Sequence, residues 1–203
     1  MSFVNELEQL EEQFRFKHPY SDPNIHELLS EKLTFIFSRV PKQQPIIVAC
    51  IGTDRSTGDA LGPLVGTGLS RMNLSGLHLY GTLDNPVHAL NLKETAIHIQ
   101  EHYSHPFIVA VDACLGKLDS VGSIQVGLGP VRPGAGVKKD LPPIGNMHIT
   151  GIVNIGGFME YYVLQNTRLS VVIQMAEVIA KAISVSLVRT KRAFFTPLSA
   201  NAE

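Results

Sequence analysis

The chain has 203 residues, of which 44% are hydrophobic, and it carries a formal net charge of −1. This hydrophobic fraction supports a sizeable core and excludes a disordered chain, while the near-neutral charge favours neither nucleic acid nor a membrane as a partner. We therefore expect a single α/β domain over residues 23–203, preceded by an N-terminal arm over residues 1–22.

The first half of this domain alternates between helical and extended patterns. Helical spacing over residues 24–39 precedes an apolar, β-branched strand over residues 45–51. A second helix is predicted over residues 62–72, with Pro63 suited to its first turn, and a second strand over residues 77–83.

The second half continues the alternation. We predict a helix from Pro86 to Tyr103, strands over 107–113 and 122–128, and helices near 151–165 and 170–189. Continuously apolar strands separated by helices are typical of an α/β protein whose sheet is buried on both faces. The sequence therefore predicts a three-layer sandwich with a largely parallel sheet.

The apolar segment 170–188 could be taken for a membrane span. Its polar residues form one narrow helical stripe: Ser170, Gln174, Glu177, Lys181 and Ser184. Two charged residues in that stripe would be costly in a bilayer, so we predict a core helix of a soluble protein. The acidic N-terminus lacks the pattern of a secretory signal, and only two cysteines occur, so we expect a cytoplasmic protein.

Three aspartates follow or close predicted strands. Asp59 lies in the loop after the first strand, Asp84 follows the second, and Asp112 closes "FIVAVD". Ligands of open α/β sheets bind beyond the carboxyl ends of the strands, so Asp59 and Asp112 would face each other if their strands are neighbours. An aspartate between a strand and a helix is commonly a cap or turn former, and Asp84 in "DNP" fits that role. Asp112 does not, because a charge within an apolar run needs a partner or a purpose.

Two chemistries are open to an Asp59–Asp112 pair. Two close carboxyl groups share a proton, so one can activate water while the other, protonated, polarises a carbonyl, as in aspartic peptidases. Alternatively, both carboxylates and a histidine could bind a divalent metal ion. We expect His148 in a loop near this edge of the sheet, either as part of the site or bonded to the loop backbone.

The loop "IGTDRSTGDALGP", residues 51–63, is more polar than a strand–helix connection requires. We expect Asp54, Arg55 and Ser56 to line the cleft together with Asp84 and His148. Asp54 could instead hold the loop by accepting backbone N–H bonds.

Three other motifs have simpler interpretations. "HIQEH", residues 98–102, matches an inverted zinc-peptidase pattern in which both histidines share a helix face, but it reads more simply as a solvated helix face. "RPGAGVKK", residues 132–139, could cradle an anion, although such a segment is more often a flexible loop. The apolar context of Cys114 favours packing over a role as a nucleophile.

Three segments in order, "TGDALGP", "IVAVDACLG" and "GSIQVGLGPVRPGAGV", resemble the spore germination protease, an atypical aspartic peptidase. That resemblance implies catalytic roles for Asp59 and Asp112. Over residues 22–190 the chain resembles the YyaC family of sporulation proteins, which is related to that protease.

The chain is also similar to the hydrogenase maturation endopeptidases. "GTD" stands where that family has its loop pattern, with Asp59 five residues on, and "NMHITGIVNIGGFMEYYVL" is similar to its histidine segment. This resemblance implies a phosphorylase/hydrolase-like fold and a nickel-recognising set of Asp59, Asp112 and His148.

Together these observations predict a sporulation-associated aspartic endopeptidase in the cytoplasm of a sporulating cell or forespore. Asp59 and Asp112 would be catalytic without a cofactor, with His148 in support, and the substrate would be a protein or peptide. One alternative is a non-catalytic sporulation factor that binds a peptide in the same cleft. Another is recognition of a protein terminus through nickel or zinc. The broadly apolar C-terminal helix leaves a homo-oligomer open.

Overall fold

The computed structural model describes residues 12–133 and 142–196, and a six-stranded sheet forms its centre. The strands are β1 (Phe16–Pro19), β2 (Ile46–Cys50), β4 (His78–Tyr80), β5 (Phe107–Gly116), β6 (Ser123–Leu128) and β7 (Met147–Ile155). The strand order is β1-β6-β7-β5-β2-β4, in which β4, β2, β5 and β7 are parallel, while β6 is antiparallel to both β7 and β1. A separate antiparallel pair is formed by β3 (Leu74–Ser75) and β8 (Phe194–Phe195).

Helices cover both faces of this sheet. They are α1 (Ile25–Phe37), α2 (Leu61–Ser70), α3 (Leu92–His102), α4 (Glu160–Gln165) and α5 (Leu169–Arg189). Helices α1, α2 and α5 share one large hydrophobic cluster with the sheet, whereas α3 packs on the opposite face in a smaller cluster. The predicted α/β class with a mostly parallel sheet is therefore confirmed.

Strand β2 shows why the parallel strands are continuously apolar. Val48 and Cys50 belong to the large cluster, whereas Ile47 and Ala49 belong to the smaller one under α3. Successive side chains point to opposite faces, and both faces are covered, so no polar position remains.

Helix α5 is the segment that resembles a membrane span. By length and composition it could cross a bilayer, but 61% of its most apolar window is buried inside the protein. It packs against α1 and α2, and its stripe of Gln174, Glu177 and Lys181 is exposed, as predicted. Ser184 is instead buried and donates a hydrogen bond to the Lys181 carbonyl oxygen at 2.9 Å.

Two predicted helix boundaries are wrong. Helix α3 begins at Leu92 rather than Pro86, because Val87 forms a bridge with Ile51 and accepts the Gly52 N–H at 2.8 Å. The pattern predicted as a helix over 151–165 begins as the end of β7 and becomes helical only in α4, from Glu160.

Two other segments were not predicted as strands. His148 lies within β7, between β5 and β6, and not in a loop. Residues 16–19, inside the predicted N-terminal arm, form β1 on the sheet edge, while residues 1–11 lie outside the described part of the chain.

Candidate active site

A cleft of about 740 Å³ opens beyond the carboxyl end of β2 and beside the second half of β5. The segment after β2 forms one side of it, and residues 112–115 of β5 form another. The two strands are parallel and directly paired, and β2 ends at Cys50 opposite Val111, so the chain leaves β2 next to Asp112. Asp59 and Asp112 both line this cleft.

The loop that carries Asp59 is held against β2 by its backbone. Gly52 has φ +140°, and the Thr53 N–H donates a hydrogen bond to the Asp59 carbonyl oxygen at 3.1 Å. A side chain at Gly52 would collide with that same oxygen, so only glycine lets the two backbone segments come this close. Asp59 then sits in a short 3-10 turn, Gly58–Ala60, directly before α2.

Asp112 lies on β5 and is only 5% exposed. Its Oδ1 accepts the Ala113 N–H at 2.9 Å. Burial raises the pKa of the Asp112 carboxyl well above its usual range, and the nearby charge of Asp59 raises it further, against the lowering effect of the Ala113 hydrogen bond.

The two carboxyl groups therefore occupy different environments in one cleft. Asp112 is buried and favours the protonated form, whereas Asp59 is half-buried at the end of its loop. In such a pair, a protonated carboxyl group can donate a hydrogen bond to a bound substrate while an ionised carboxylate beside it accepts a proton from water. This arrangement suits addition of water to a carbonyl group.

The other predicted site residues are distributed unevenly. Arg55 and Ser56 line the cleft, and the Ser56 Oγ is buried without a hydrogen-bond partner among the described residues. Asp54, Asp84 and His148 lie outside the lining of this cleft.

The His148 side chain contacts β6 and the residue that follows it, not the cleft. Its Nδ1 is 3.0 Å from the Gly129 carbonyl oxygen, and its ring covers Gly127 on β6 so closely that a side chain there would collide with it. Across the described residues, no group of three or more histidine, cysteine, aspartate or glutamate side chains is arranged to hold a metal ion. The cleft is thus built around the carboxyl pair without His148.

Sequence reasoning missed two parts of the cleft lining and gave a third a different role. His88 and Leu90 come from the segment that was predicted as helix. Arg132 begins the segment interpreted as an anion cradle or a flexible loop, of which residues 134–139 lie outside the described part of the chain. Glu160 and Tyr161 come from the start of α4. The Gly156–Gly157 pair before α4 was the signal available in the sequence, because paired glycines interrupt a helical pattern.

Cys114 also lines the cleft, next to the carboxyl pair. Burial raises the pKa of its thiol to about 11; a hydrogen bond from Thr150 lowers it, and the charge of Asp112 raises it. A thiol with this pKa is protonated at neutral pH and is a poor nucleophile.

Comparisons with known proteins give a family and one close relative. The sequence profile of the family described as "Protein of unknown function (DUF1256)" matches residues 17–182. The chain is 59% identical over 162 residues to "Uncharacterized protein YyaC" of Bacillus subtilis (strain 168), an alignment that covers 80% of this chain and 77% of the relative.

Proposed function

The chain belongs to the DUF1256 family, and from the geometry of its cleft we propose that it is an endopeptidase with Asp59 and Asp112 as its catalytic pair. The observation that carries this proposal is that Asp59 and Asp112 line one cleft, with Asp112 only 5% exposed. Burial and the charge of Asp59 raise the pKa of the Asp112 carboxyl, which favours its protonated form and suits acid–base hydrolysis of an amide.

In the proposed reaction, the Asp59 carboxylate takes a proton from water as the water oxygen attacks the peptide carbonyl carbon. The Asp112 carboxyl group donates its proton to the carbonyl oxygen, which gives a neutral tetrahedral diol. Asp59 then protonates the amide nitrogen, the Asp112 carboxylate takes back one diol proton, and the C–N bond breaks. The products are a carboxyl terminus and an amino terminus, and both aspartates regain their starting states.

The rim of the cleft supports a polypeptide substrate. Leu90 and Tyr161 both line the cleft and are exposed, Leu90 at 81%. Phe158 and Met159, which precede the cleft-lining Glu160 in the sequence, are also exposed. Exposed apolar side chains at a cleft suit the side chains of a peptide better than a small polar molecule.

We extend the proposal to the sequence resemblances. The order of the motifs around Asp59 and Asp112 supports kinship with the spore germination protease, and the shared α/β sheet is compatible with a fold like that of the hydrogenase maturation endopeptidases. On this basis the protein would act in the cytoplasm of a sporulating cell.

The apolar rim also favours a second candidate, a protein that binds a peptide in the cleft without cutting it. Both candidates use the same surface, and they differ only in whether the carboxyl pair performs chemistry.

In the deciding experiment, the protein is incubated with a mixture of peptides prepared from denatured proteins, and new peptide termini are detected by mass spectrometry. We expect cleavage by the unaltered chain and its loss in Asp59→Asn and in Asp112→Asn, each about 100-fold or more. Asp119→Asn is the matched control, because Asp119 is exposed and lies outside the cleft lining. Retention of intact peptides without new termini would favour the binding protein, and equal cleavage by all four chains would refute the catalytic pair.

A further inference from the structure

A cluster of aromatic and histidine side chains lies on α3 and the edge strand β4, away from the cleft lining. His98 and His102 are both exposed, and the centres of their rings are 4.1 Å apart. They are four positions apart on the helix, so one lies above the other on the same face.

We propose that His98 and His102 form a binding site for one divalent transition-metal ion, such as Cu²⁺, Ni²⁺ or Zn²⁺. Imidazole nitrogens are good ligands for these ions, and two of them one helical turn apart can chelate a single ion. Water fills the remaining coordination positions, because the described residues hold no group of three or more ligands of this kind.

The surroundings of the pair support this assignment. The Tyr80 ring on β4 contacts the His98 ring at 5.9 Å between centres, edge to face, and the His78 ring on the same strand contacts the Tyr103 ring at 4.9 Å. The His102 ring in turn lies 6.4 Å from that of Tyr103. Side chains that are already ordered lose less conformational entropy when they bind, so this packing favours chelation.

The site differs chemically from the carboxyl cleft. Its ligands are nitrogen atoms, which bind Cu²⁺ more tightly than Ni²⁺ and do not bind Mg²⁺ appreciably. Both histidines lie on α3, and the segment just before this helix contains His88 and Leu90, which line the cleft. A bound ion would therefore stabilise α3, although the proposal does not depend on the catalytic pair.

The test is calorimetric titration of the full chain, without a histidine tag, with CuCl₂, NiCl₂, ZnCl₂ and MgCl₂ at pH 7.5. We expect one equivalent of Cu²⁺, Ni²⁺ or Zn²⁺, with Cu²⁺ tightest and no binding of Mg²⁺. At a metal concentration ten times the dissociation constant, the melting temperature should rise by about 3–6 °C. His98→Gln and His102→Gln should each weaken binding at least tenfold, and the double variant should abolish it.

Two control variants make the result specific. His105→Asn removes an exposed histidine just beyond α3, at φ +49°, a conformation that asparagine tolerates, and it should bind metal normally. Asp112→Asn should also bind normally, which separates this site from the cleft. Binding that persists in the double histidine variant, or that disappears in Asp112→Asn alone, would overturn the assignment. Since both histidines are exposed, the metal-free variants should keep the melting temperature of the unaltered chain.

Discussion

Asp59 and Asp112 line the same cleft, and the charge of Asp59 adds to burial in raising the pKa of the Asp112 carboxyl. The two environments are unequal, because Asp112 lies within a strand at 5% exposure whereas Asp59 is half-buried in the turn before α2. Four predictions test this relationship, the loop that creates it and the surface around it.

The first prediction concerns the pH dependence of stability. The pKa of Asp112 is higher in the folded state than the ordinary value of about 3.9, so the folded state binds more protons and stability falls as pH rises above that value. Asp112→Asn removes this loss and keeps an acceptor for the Ala113 N–H. Urea unfolding from pH 4 to 8 should show the variant gaining stability relative to the unaltered chain as pH rises. A difference that does not change with pH would mean that the carboxyl has an ordinary pKa.

The second prediction isolates the contribution of Asp59. In Asp59→Asn, the pKa of Asp112 should fall but stay above the ordinary value, because burial is the larger cause. Carbon-13 NMR titration of the aspartate carboxyl groups measures this directly. Asp119→Asn, which changes an exposed carboxyl outside the cleft lining, should leave the Asp112 titration unchanged. An unchanged Asp112 pKa in Asp59→Asn would show that the two groups do not interact.

The third prediction tests the close approach that sets the position of Asp59. Gly52→Ala should destabilise the protein by about 1–3 kcal/mol or more, because the new methyl group would collide with the Asp59 carbonyl oxygen. Gly157→Ala is a matched control, since Gly157 has the same φ of +140° and no described atom lies within 4 Å of the added carbon. Unfolding in urea should therefore show a larger loss for Gly52→Ala. Equal losses would mean that backbone strain alone, and not the collision, sets the cost.

The fourth prediction concerns the apolar rim. Leu90→Ser should raise KM for peptide cleavage, or weaken peptide binding, because Leu90 lines the cleft, and it should change the free energy of unfolding by no more than about 0.5 kcal/mol, because the side chain is 81% exposed. Phe195→Ser is the control: this ring is 60% exposed and lies on β8, outside the cleft lining. Peptide kinetics that respond equally to both substitutions would argue against a role for the rim.

The elements that were predicted correctly are those in which no long-range contact overrides the local sequence pattern. Strands β2 and β5 are buried on both faces, so their apolar runs identify them without knowledge of the partners. In α3, Leu92 and Ile99 lie seven positions apart, which places them on one face of the helix, and both are fully buried.

The errors lie where a long-range partner overrides the local pattern. The sequence pattern around Val87 predicts that α3 begins earlier, at Pro86. The Val87 backbone instead pairs with Ile51 and Gly52. The start of "ITGIVNIGG" pairs with β5 and β6, so His148 lies in a central strand and its ring faces Gly129 rather than the cleft.

The sequence by itself determined the α/β class, the burial of the main strands and the unusual position of Asp112 in an apolar run. These are local properties, because hydrophobic periodicity and the cost of a buried charge act over a few residues. Only the tertiary structure decided that Asp59 joins Asp112 while Asp54, Asp84 and His148 stay outside the cleft. That outcome follows from the pairing of β2 with β5, two segments distant in the chain, and from the close approach of Gly52 to the Asp59 backbone within the loop after β2. Local periodicity specifies neither contact.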